Sequence, residues 1–199
     1  MKCDILIAGV GGQGTVLASK LLAASAISQG CFVRTSETIG MAQRGGCVVS
    51  HVRIGGEKEG SVIPVGKADI IIGFEPTEAA RNLYRLSQNG ICIVNTREIK
   101  PVTASLGAAK YDIKEINEYI KNNAGKAVFV DGYDIAEKAG SVKALNIALL
   151  GVALGEGILP FSKEVVEEII RENINPKFID INIKALNSGI AYSKNKSVQ

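Results

Sequence analysis

Short apolar runs alternate with longer helical patterns in the first part of the chain. Residues 4–9 form an apolar run that predicts a buried strand. Residues 15–27 are rich in Ala and Leu and contain no Pro or Gly, which predicts a helix that ends at Gly30. Residues 31–34 predict a second strand. Strand, glycine turn, helix and strand make a βαβ unit, which implies parallel strands joined by a right-handed crossover.

A strand of a different kind is predicted next, over residues 47–54. Its residues alternate between two faces, and the pair Gly55-Gly56 separates it from a second apolar run at residues 61–65. This pattern predicts an antiparallel hairpin between the two runs. The sheet is therefore expected to be mixed, as is common in large α/β folds.

Strands and helices alternate again in the remainder of the chain. The predicted strands are residues 68–74, 91–94 and 127–130. The predicted helices are 77–86, 113–121, 136–154 with a break near Gly140-Ser141, and 163–172 after an N-capping Ser162. A last amphipathic helix is predicted where Ile179, Ile183, Leu186 and Ile190 fall at helical spacing. The fold class that follows is α/β, a three-layer Rossmann-like mixed sheet with an antiparallel hairpin and a helical C-terminal segment. We predict a single domain over residues 1–199, in which residues 160–192 form a helical appendage.

Composition narrows the possible functions. Of the 199 residues, 46% are hydrophobic and 22% charged, which excludes a disordered chain. A net charge of +3 and an aromatic content of 5% give little support for nucleic-acid binding. The four cysteines form no CxxC pair, so we expect reduced, buried thiols and neither an iron–sulfur cluster nor a metal site. No signal-peptide or membrane-spanning pattern occurs, which favours a cytoplasmic protein without a membrane partner.

The first glycine cluster, GVGGQG at residues 9–14, lies between a predicted strand and a predicted helix. Glycines there let an anion approach the backbone at the free N–H groups of the helix N-terminus. The candidate binding residues are Gly9, Gly11, Gly12, Gln13, Gly14 and Thr15. The structural alternative is that these glycines only permit a tight turn. A dinucleotide site also needs an acid at the end of the second strand, where this chain has Arg34 and, past the predicted strand, Glu37.

The second glycine cluster, SETIGMAQRGG at residues 36–46, is predicted as a loop between two strands, at the same sheet end as the first cluster. The pair Gly45-Gly46 permits a sharp reversal, and Arg44 is expected to face the crevice beside the first loop. An arginine beside a helix N-terminus binds anions strongly. The candidate residues here are Gly40, Gln43, Arg44 and Gly45.

Together, GVGGQG, GMAQRGG and the HVRIG of the next strand resemble the gamma-type domain of 2-oxoacid:ferredoxin oxidoreductases, and most of all the small subunits of enzymes that act on aryl pyruvates such as indolepyruvate. The resemblance covers most of the chain. It implies a subunit of an enzyme of anaerobic metabolism that converts a 2-oxoacid and coenzyme A to an acyl-CoA and carbon dioxide and reduces ferredoxin. It also implies that thiamine diphosphate and iron–sulfur clusters reside on a large partner subunit, in a hetero-oligomer with two copies of each chain. Ferredoxin would then be reached through the partner, the glycine loops would lie near coenzyme A or the subunit interface, and no catalytic residue is assigned to this chain.

Two other functions remain open from the residues themselves: an independent NAD(P)-binding oxidoreductase and a non-catalytic nucleotide-binding module. Among single residues, His51 is expected at a surface or interface, and Cys47 as a small buried residue. Glu75 is expected as an acid at a helix N-terminus, and Asp131 in a turn. Asn146, in an apolar helix, is expected to make a buried hydrogen bond or a subunit contact.

Overall fold

The computed structural model describes residues 2–40, 45–56, 59–100 and 111–196. Its strands are β1 Cys3–Val10, β2 Val33–Ile39, β3 Cys47–Ile54, β4 Ala68–Gly73, β5 Leu86–Asn95 and β6 Lys126–Val130. Its α-helices are α1 Thr15–Ser28, α2 Pro76–Asn82, α3 Ile113–Asn123, α4 Gly132–Ala139, α5 Leu145–Gly155, α6 Lys163–Asn173 and α7 Ile179–Lys196. Short 3-10 turns at Leu83–Arg85, Val142–Ala144 and Pro176–Phe178 precede β5, α5 and α7.

The strands form one mixed sheet in the order β2-β3-β1-β4-β5-β6. Strand β1 pairs parallel with β4 on one side and antiparallel with β3 on the other. Because β2 and β3 are also antiparallel, β2 runs parallel to β1 but is separated from it by β3. The predicted parallel βαβ unit is therefore confirmed, with one strand inserted between its two members.

The hairpin is predicted with the wrong second strand. Strand β3 pairs with β2, whereas residues 61–65 form no strand. Pro64 lacks the N–H that a ladder needs, and Ile63 instead packs as a buried residue against one sheet face. Strand β2 extends to Ile39, so residues 36–39, predicted as loop, belong to the sheet. Residues 36–38 are polar because they lie in an exposed edge strand, so the pattern of apolar residues did not indicate a strand there.

Two helical layers cover the sheet and confirm the predicted three-layer fold. On one face, strand residues such as Ile5, Ile7 and Ile72 pack with α1, α4, α5, α6 and α7. On the other face, Leu6 and Ile71 pack with α2 and α3. Strand β1 is buried along its whole length, as the apolar run predicts.

The two C-terminal helices pack in the first of these layers. Val166 and Ile170 of α6 and Leu186 of α7 lie in the same apolar cluster as the sheet residues. Helices α5 and α7 approach so closely that a Cβ at Gly151 would collide with the Leu186 carbonyl oxygen, and one at Gly189 with the Ala148 carbonyl oxygen. In the described ranges, no helix is both long enough and apolar enough to cross a membrane.

His51 is buried within this chain, in β3, which corrects the prediction of a surface or interface position. Its side chain is 3% exposed, and its Nδ1 accepts a hydrogen bond from the Ile63 N–H at 3.3 Å. Burial lowers the pKa of His51 from 6.5 to about 4, and the charges of Arg85 and Arg53 contribute to the same shift. The imidazole is therefore neutral in the folded protein at neutral pH.

The α5–α7 contact predicts that Gly189→Ala destabilises the protein although alanine is the better helix former. The added methyl group must displace backbone of α5, and overpacking of this kind costs about 1–3 kcal/mol. Chemical denaturation measures the change in the free energy of unfolding. The neighbouring Ser188→Ala serves as control and is expected to change it by less than about 0.5 kcal/mol. Equal stability of Gly189→Ala and the wild type would show that the helices can separate freely.

The buried imidazole predicts a pH dependence of stability that the substitution His51→Asn would abolish. Between pH 6.5 and 4 the unfolded chain binds a proton at His51 that the folded protein does not, so stability is complete above this range and falls as the pH decreases through it. From pH 7 to pH 5, wild type should lose about 2 kcal/mol more than His51→Asn, whose side-chain oxygen can still accept from Ile63. Denaturation at the two pH values measures the difference. Parallel pH profiles of the two proteins would contradict the assignment.

Candidate functional site around the glycine loops

The loop between β1 and α1 contains two glycines in the left-handed region. Gly12 has φ +103° and Gly14 has φ +83°. Gly14 is the N-cap of α1, which has no side-chain cap and no acidic residue in its first turn. An added Cβ at Gly12 would meet nothing within 4 Å, so this position faces open space. The N-cap residue itself therefore offers no side-chain acceptor to the backbone N–H groups at the start of α1.

Gly45 and Gly46, at the end of the second glycine cluster, lie directly against this loop, at the sheet end where the sequence predicts them. The Gly11 N–H donates to the Gly46 carbonyl at 2.8 Å, and the Gly45 N–H donates to the Gly11 carbonyl at 3.4 Å. These bonds continue the β1–β3 ladder beyond the end of β1. Gly40 closes the other side of the hairpin, where its N–H donates to the Cys47 carbonyl at 2.9 Å. Gln43 and Arg44 lie outside the described residues.

Gln13 faces the protein interior. Its Oε1 accepts from the Val10 N–H at 2.8 Å, and its Nε2 donates to the Phe74 carbonyl at 2.9 Å and to the Tyr133 hydroxyl at 3.2 Å. Gly9 is needed beside it, because a Cβ there would lie 2.8 Å from Gln13 Oε1. The side chain of Gln13 therefore holds the loop against β4 and α4.

Asn95, at the end of β5, completes this arrangement. Its Nδ2 donates to the same Phe74 carbonyl at 3.1 Å, and its Oδ1 accepts from the Gly132 N–H at 2.9 Å. We call Gln13 and Asn95 together the amide brace. Both are buried, with 8% and 0% exposure. The brace connects the carboxyl ends of β1, β4 and β5 with the start of α4.

Asn146 supports the loop from α5. It is 2% exposed, and its Nδ2 donates to the Gly14 carbonyl at 3.4 Å. A Cβ at Gly14 would lie 2.8 Å from this Nδ2, which explains the glycine there. The predicted buried hydrogen bond of Asn146 is confirmed.

A pocket of about 350 Å³ opens beside the loop, and we call it the glycine-loop pocket. It is lined by Gly12, Gln13, Gly14, Leu17, Tyr133, Val142, Lys143, Leu145 and Asn146. A second, more apolar pocket of about 320 Å³ shares Leu17, Lys143 and Asn146 with it and extends toward α7. Phe178 and Ile181 line that second pocket. The two pockets make a cleft with backbone N–H groups at one end and apolar side chains at the other.

Two cations lie near this cleft among the described residues. Lys143 borders both pockets. The Arg97 guanidinium stacks on the Tyr133 ring, 4.6 Å from its centroid, and lies 3.7 Å from Asp131. Their charge and the positive end of α1 make the cleft suited to an anionic group on an otherwise apolar molecule.

Two acids named in the sequence analysis, Glu75 and Asp131, cap helices. Glu75 is the N-cap of α2 and accepts from the Glu78 N–H at 3.0 Å, as expected of a helix N-terminal acid. Asp131 likewise caps α4. Cys47 is exposed, which contradicts its predicted burial, and Cys31 is only half-buried.

The geometry of a dinucleotide site is not formed. Such sites place a parallel second strand beside the first, with an acid at its end. Here the neighbour of β1 on that side is the antiparallel β3, and Glu37 lies within β2, where it accepts from the Ser19 hydroxyl at 3.2 Å. In sequence, Asn95 and Tyr133 gave no motif. The available signal was that each comes shortly after a strand at the carboxyl edge of the sheet.

Comparison with known proteins identifies the family of this fold. Residues 4–192 match the family described as pyruvate ferredoxin/flavodoxin oxidoreductase. The indolepyruvate oxidoreductase subunit IorB of Archaeoglobus fulgidus is 44% identical over 190 residues, which cover 95% of this chain and 94% of that protein. The IorB subunit of Pyrococcus horikoshii is 39% identical over 193 residues, 96% of each chain.

A solved structure agrees with these relatives. The pyruvate oxidoreductase subunit PORC of Thermotoga maritima superposes with a TM-score of 0.70 at 26% identity, over 96% of both chains. The match thus extends over nearly the whole chain, from the first strand to the C-terminal helices. The chain belongs to the pyruvate ferredoxin/flavodoxin oxidoreductase family.

Proposed function

We propose that this chain is the small subunit of a cytoplasmic oxidoreductase that decarboxylates indolepyruvate or a related aryl pyruvate, with coenzyme A as acyl acceptor and ferredoxin as electron acceptor. The observation that carries the proposal is the likeness to IorB subunits over nearly the full length of both proteins. The partner is a larger subunit, with two copies of each chain in the assembly.

The redox cofactors belong to that larger subunit in this proposal. Bound there, thiamine diphosphate would supply the chemistry for decarboxylation and iron–sulfur clusters would supply acceptors for the two electrons. Two of the four thiols do not suit cluster ligation: Cys3 and Cys92 are buried, and burial raises the pKa of each to about 12. Within the described ranges, no three His, Cys, Asp or Glu residues are grouped to hold a metal ion.

The role proposed for this chain is to hold the anionic part of coenzyme A. The glycine-loop pocket offers the open backbone at Gly12, the N-terminus of α1 and the Lys143 ammonium. Phosphate oxygens accept hydrogen bonds from such N–H groups, and the adjoining apolar pocket can accept less polar parts of the molecule. Gly45 holds the neighbouring hairpin against the loop, and Gly40 closes that hairpin at Cys47. Arg44, next in sequence to Gly45, is the proposed further cation.

We expect Gly12→Asp to weaken coenzyme A binding in the assembled enzyme. The carboxylate would stand where N–H groups face the anion, and loss of one charged hydrogen bond, about 1.5–3 kcal/mol, corresponds to an increase of roughly 10–150-fold in the KM for coenzyme A. The KM for the oxoacid should change little. Steady-state ferredoxin reduction measures both constants.

Gly157→Asp is the matched control for this variant. Gly157 also has positive φ, at +69°, with nothing within 4 Å of an added Cβ, and it does not line the cleft. Both variants should lose similar thermal stability, but only Gly12→Asp should raise the KM for coenzyme A. An unchanged KM in Gly12→Asp would exclude the pocket as the coenzyme A site.

We expect the chain expressed alone to be colourless, free of thiamine diphosphate and inactive. Co-expressed with its large subunit, it should elute as one complex that contains iron and reduces ferredoxin. Absorption spectra, thiamine analysis and size-exclusion chromatography make the comparison. A visible iron–sulfur absorption band in the chain alone would contradict the assignment of the cofactors to the large subunit. Separate elution of the two subunits at micromolar concentration would contradict the proposed complex.

A further inference from the structure

Strand β2 forms one edge of the sheet, and in the part of the chain that the structure describes no strand lies beyond it. It spans seven residues with a regular register to β3 and without a bulge or a proline. Five of its seven residues are exposed. Natural proteins usually shorten, bend or block such an edge, because its free N–H and C=O groups can pair with another strand.

The register determines which backbone groups are free. The Phe32 carbonyl accepts from the Gly55 N–H at 2.8 Å, and the Gly40 N–H donates to the Cys47 carbonyl at 2.9 Å. Hydrogen-bonded positions alternate along an antiparallel ladder, so even-numbered residues of β2 direct their backbone groups toward β3. The N–H and C=O groups of Val33, Thr35, Glu37 and Ile39 therefore point outward from the sheet.

We propose that two copies of this chain pair antiparallel through β2, with a two-fold axis at Ser36, so that their sheets join into one continuous sheet. Because only the odd-numbered residues direct backbone groups outward, odd-numbered residues of one copy must lie opposite odd-numbered residues of the other. The two-fold axis therefore passes through a residue and not between two residues. With the axis at Ser36, all seven residues of each strand are paired. Val33 lies opposite Ile39 at both ends, and Thr35 lies opposite Glu37.

The side chains favour this register over its two neighbours. With the axis at Glu37, two like charges would face each other, which is destabilising. With the axis at Thr35, the Glu37 carboxylate would face the apolar Val33. With the axis at Ser36, Arg34 faces Thr38 and neither charged residue meets a like charge or an apolar partner.

Exposed apolar side chains lie at both ends of the segment. Ile39 is 58% exposed and Phe32 41%. We assign a second copy of this chain to this edge because, in this register, the apolar ends of the two strands meet and each charged residue meets a neutral polar one. The inference does not depend on the proposed reaction.

Disulfide trapping tests the register in the full-length chain. In the pair, the two Ser36 residues occupy a non-hydrogen-bonded position with Cα atoms about 4.5 Å apart. That separation lies in the range of about 4.4–6.8 Å that a disulfide bridges. The experiment uses Ser36→Cys in a background of Cys31→Ser and Cys47→Ser, because these two native thiols are accessible. Mild oxidation followed by non-reducing electrophoresis should give a covalent dimer.

Thr38→Cys in the same background is the matched control. It lies on the same face of the same strand, but the two copies of residue 38 are displaced by four residues, about 13 Å along the strands. It should form dimer far more slowly than Ser36→Cys. Equal rates, or faster trapping of Thr38→Cys, would overturn the register.

A second variant tests the backbone pairing without a thiol. Thr35→Pro removes an outward N–H and leaves every β2–β3 hydrogen bond in place. Wild type should be a dimer by light scattering at micromolar concentration, and folded Thr35→Pro, checked by circular dichroism, a monomer. A monomeric wild type, as expected if this edge instead receives a strand of the large subunit, or a dimeric Thr35→Pro, would refute the proposal.

Discussion

The candidate site depends on one buried carbonyl, that of Phe74, which accepts hydrogen bonds from both side-chain amides of the brace. Through it, the loop after β1, the end of β5 and the first residue of α4 are joined at one edge of the sheet. Removal of either amide would leave buried polar groups without partners, at a penalty of about 1–3 kcal/mol each. The glycines beside the brace then have a steric explanation: Gly9 makes room for Gln13, and Gly14 makes room for Asn146.

Much of the fold could be predicted from sequence because its central strands are uniformly apolar. The run in β1, the glycine turn and the Ala-rich α1 are each determined locally, and the structure agrees with all three. The hairpin partner of β3 could not be found in this way. Strand β2 is polar because it lies at an edge of the sheet. The alternation of apolar and polar residues in β3 does not show which other strand pairs with it. His51 was misplaced for a related reason, since its hydrogen-bond partner Ile63 lies in an irregular segment.

The candidate site could also be predicted only in part from the sequence. Contact between the two glycine clusters followed from their positions at one sheet end, and Gly11 and Gly46 confirm it. The inward direction of Gln13 and the participation of Asn95 and Tyr133 depend on three elements that meet only in the folded chain. The antiparallel β3 beside β1 likewise could not be read from GxGxxG, a motif that parallel dinucleotide-binding folds share.

The support of the glycine loop from both sides has a consequence for how anything binds there. The continued β1–β3 ladder holds it through Gly11, and the amide brace holds it through Gln13, so its conformation is set by hydrogen bonds within this chain. Little conformational entropy would be lost if, as proposed, an anion docked on its N–H groups. Free and bound forms of this loop should superpose closely, and recognition at α1 should proceed as a nearly rigid-body encounter.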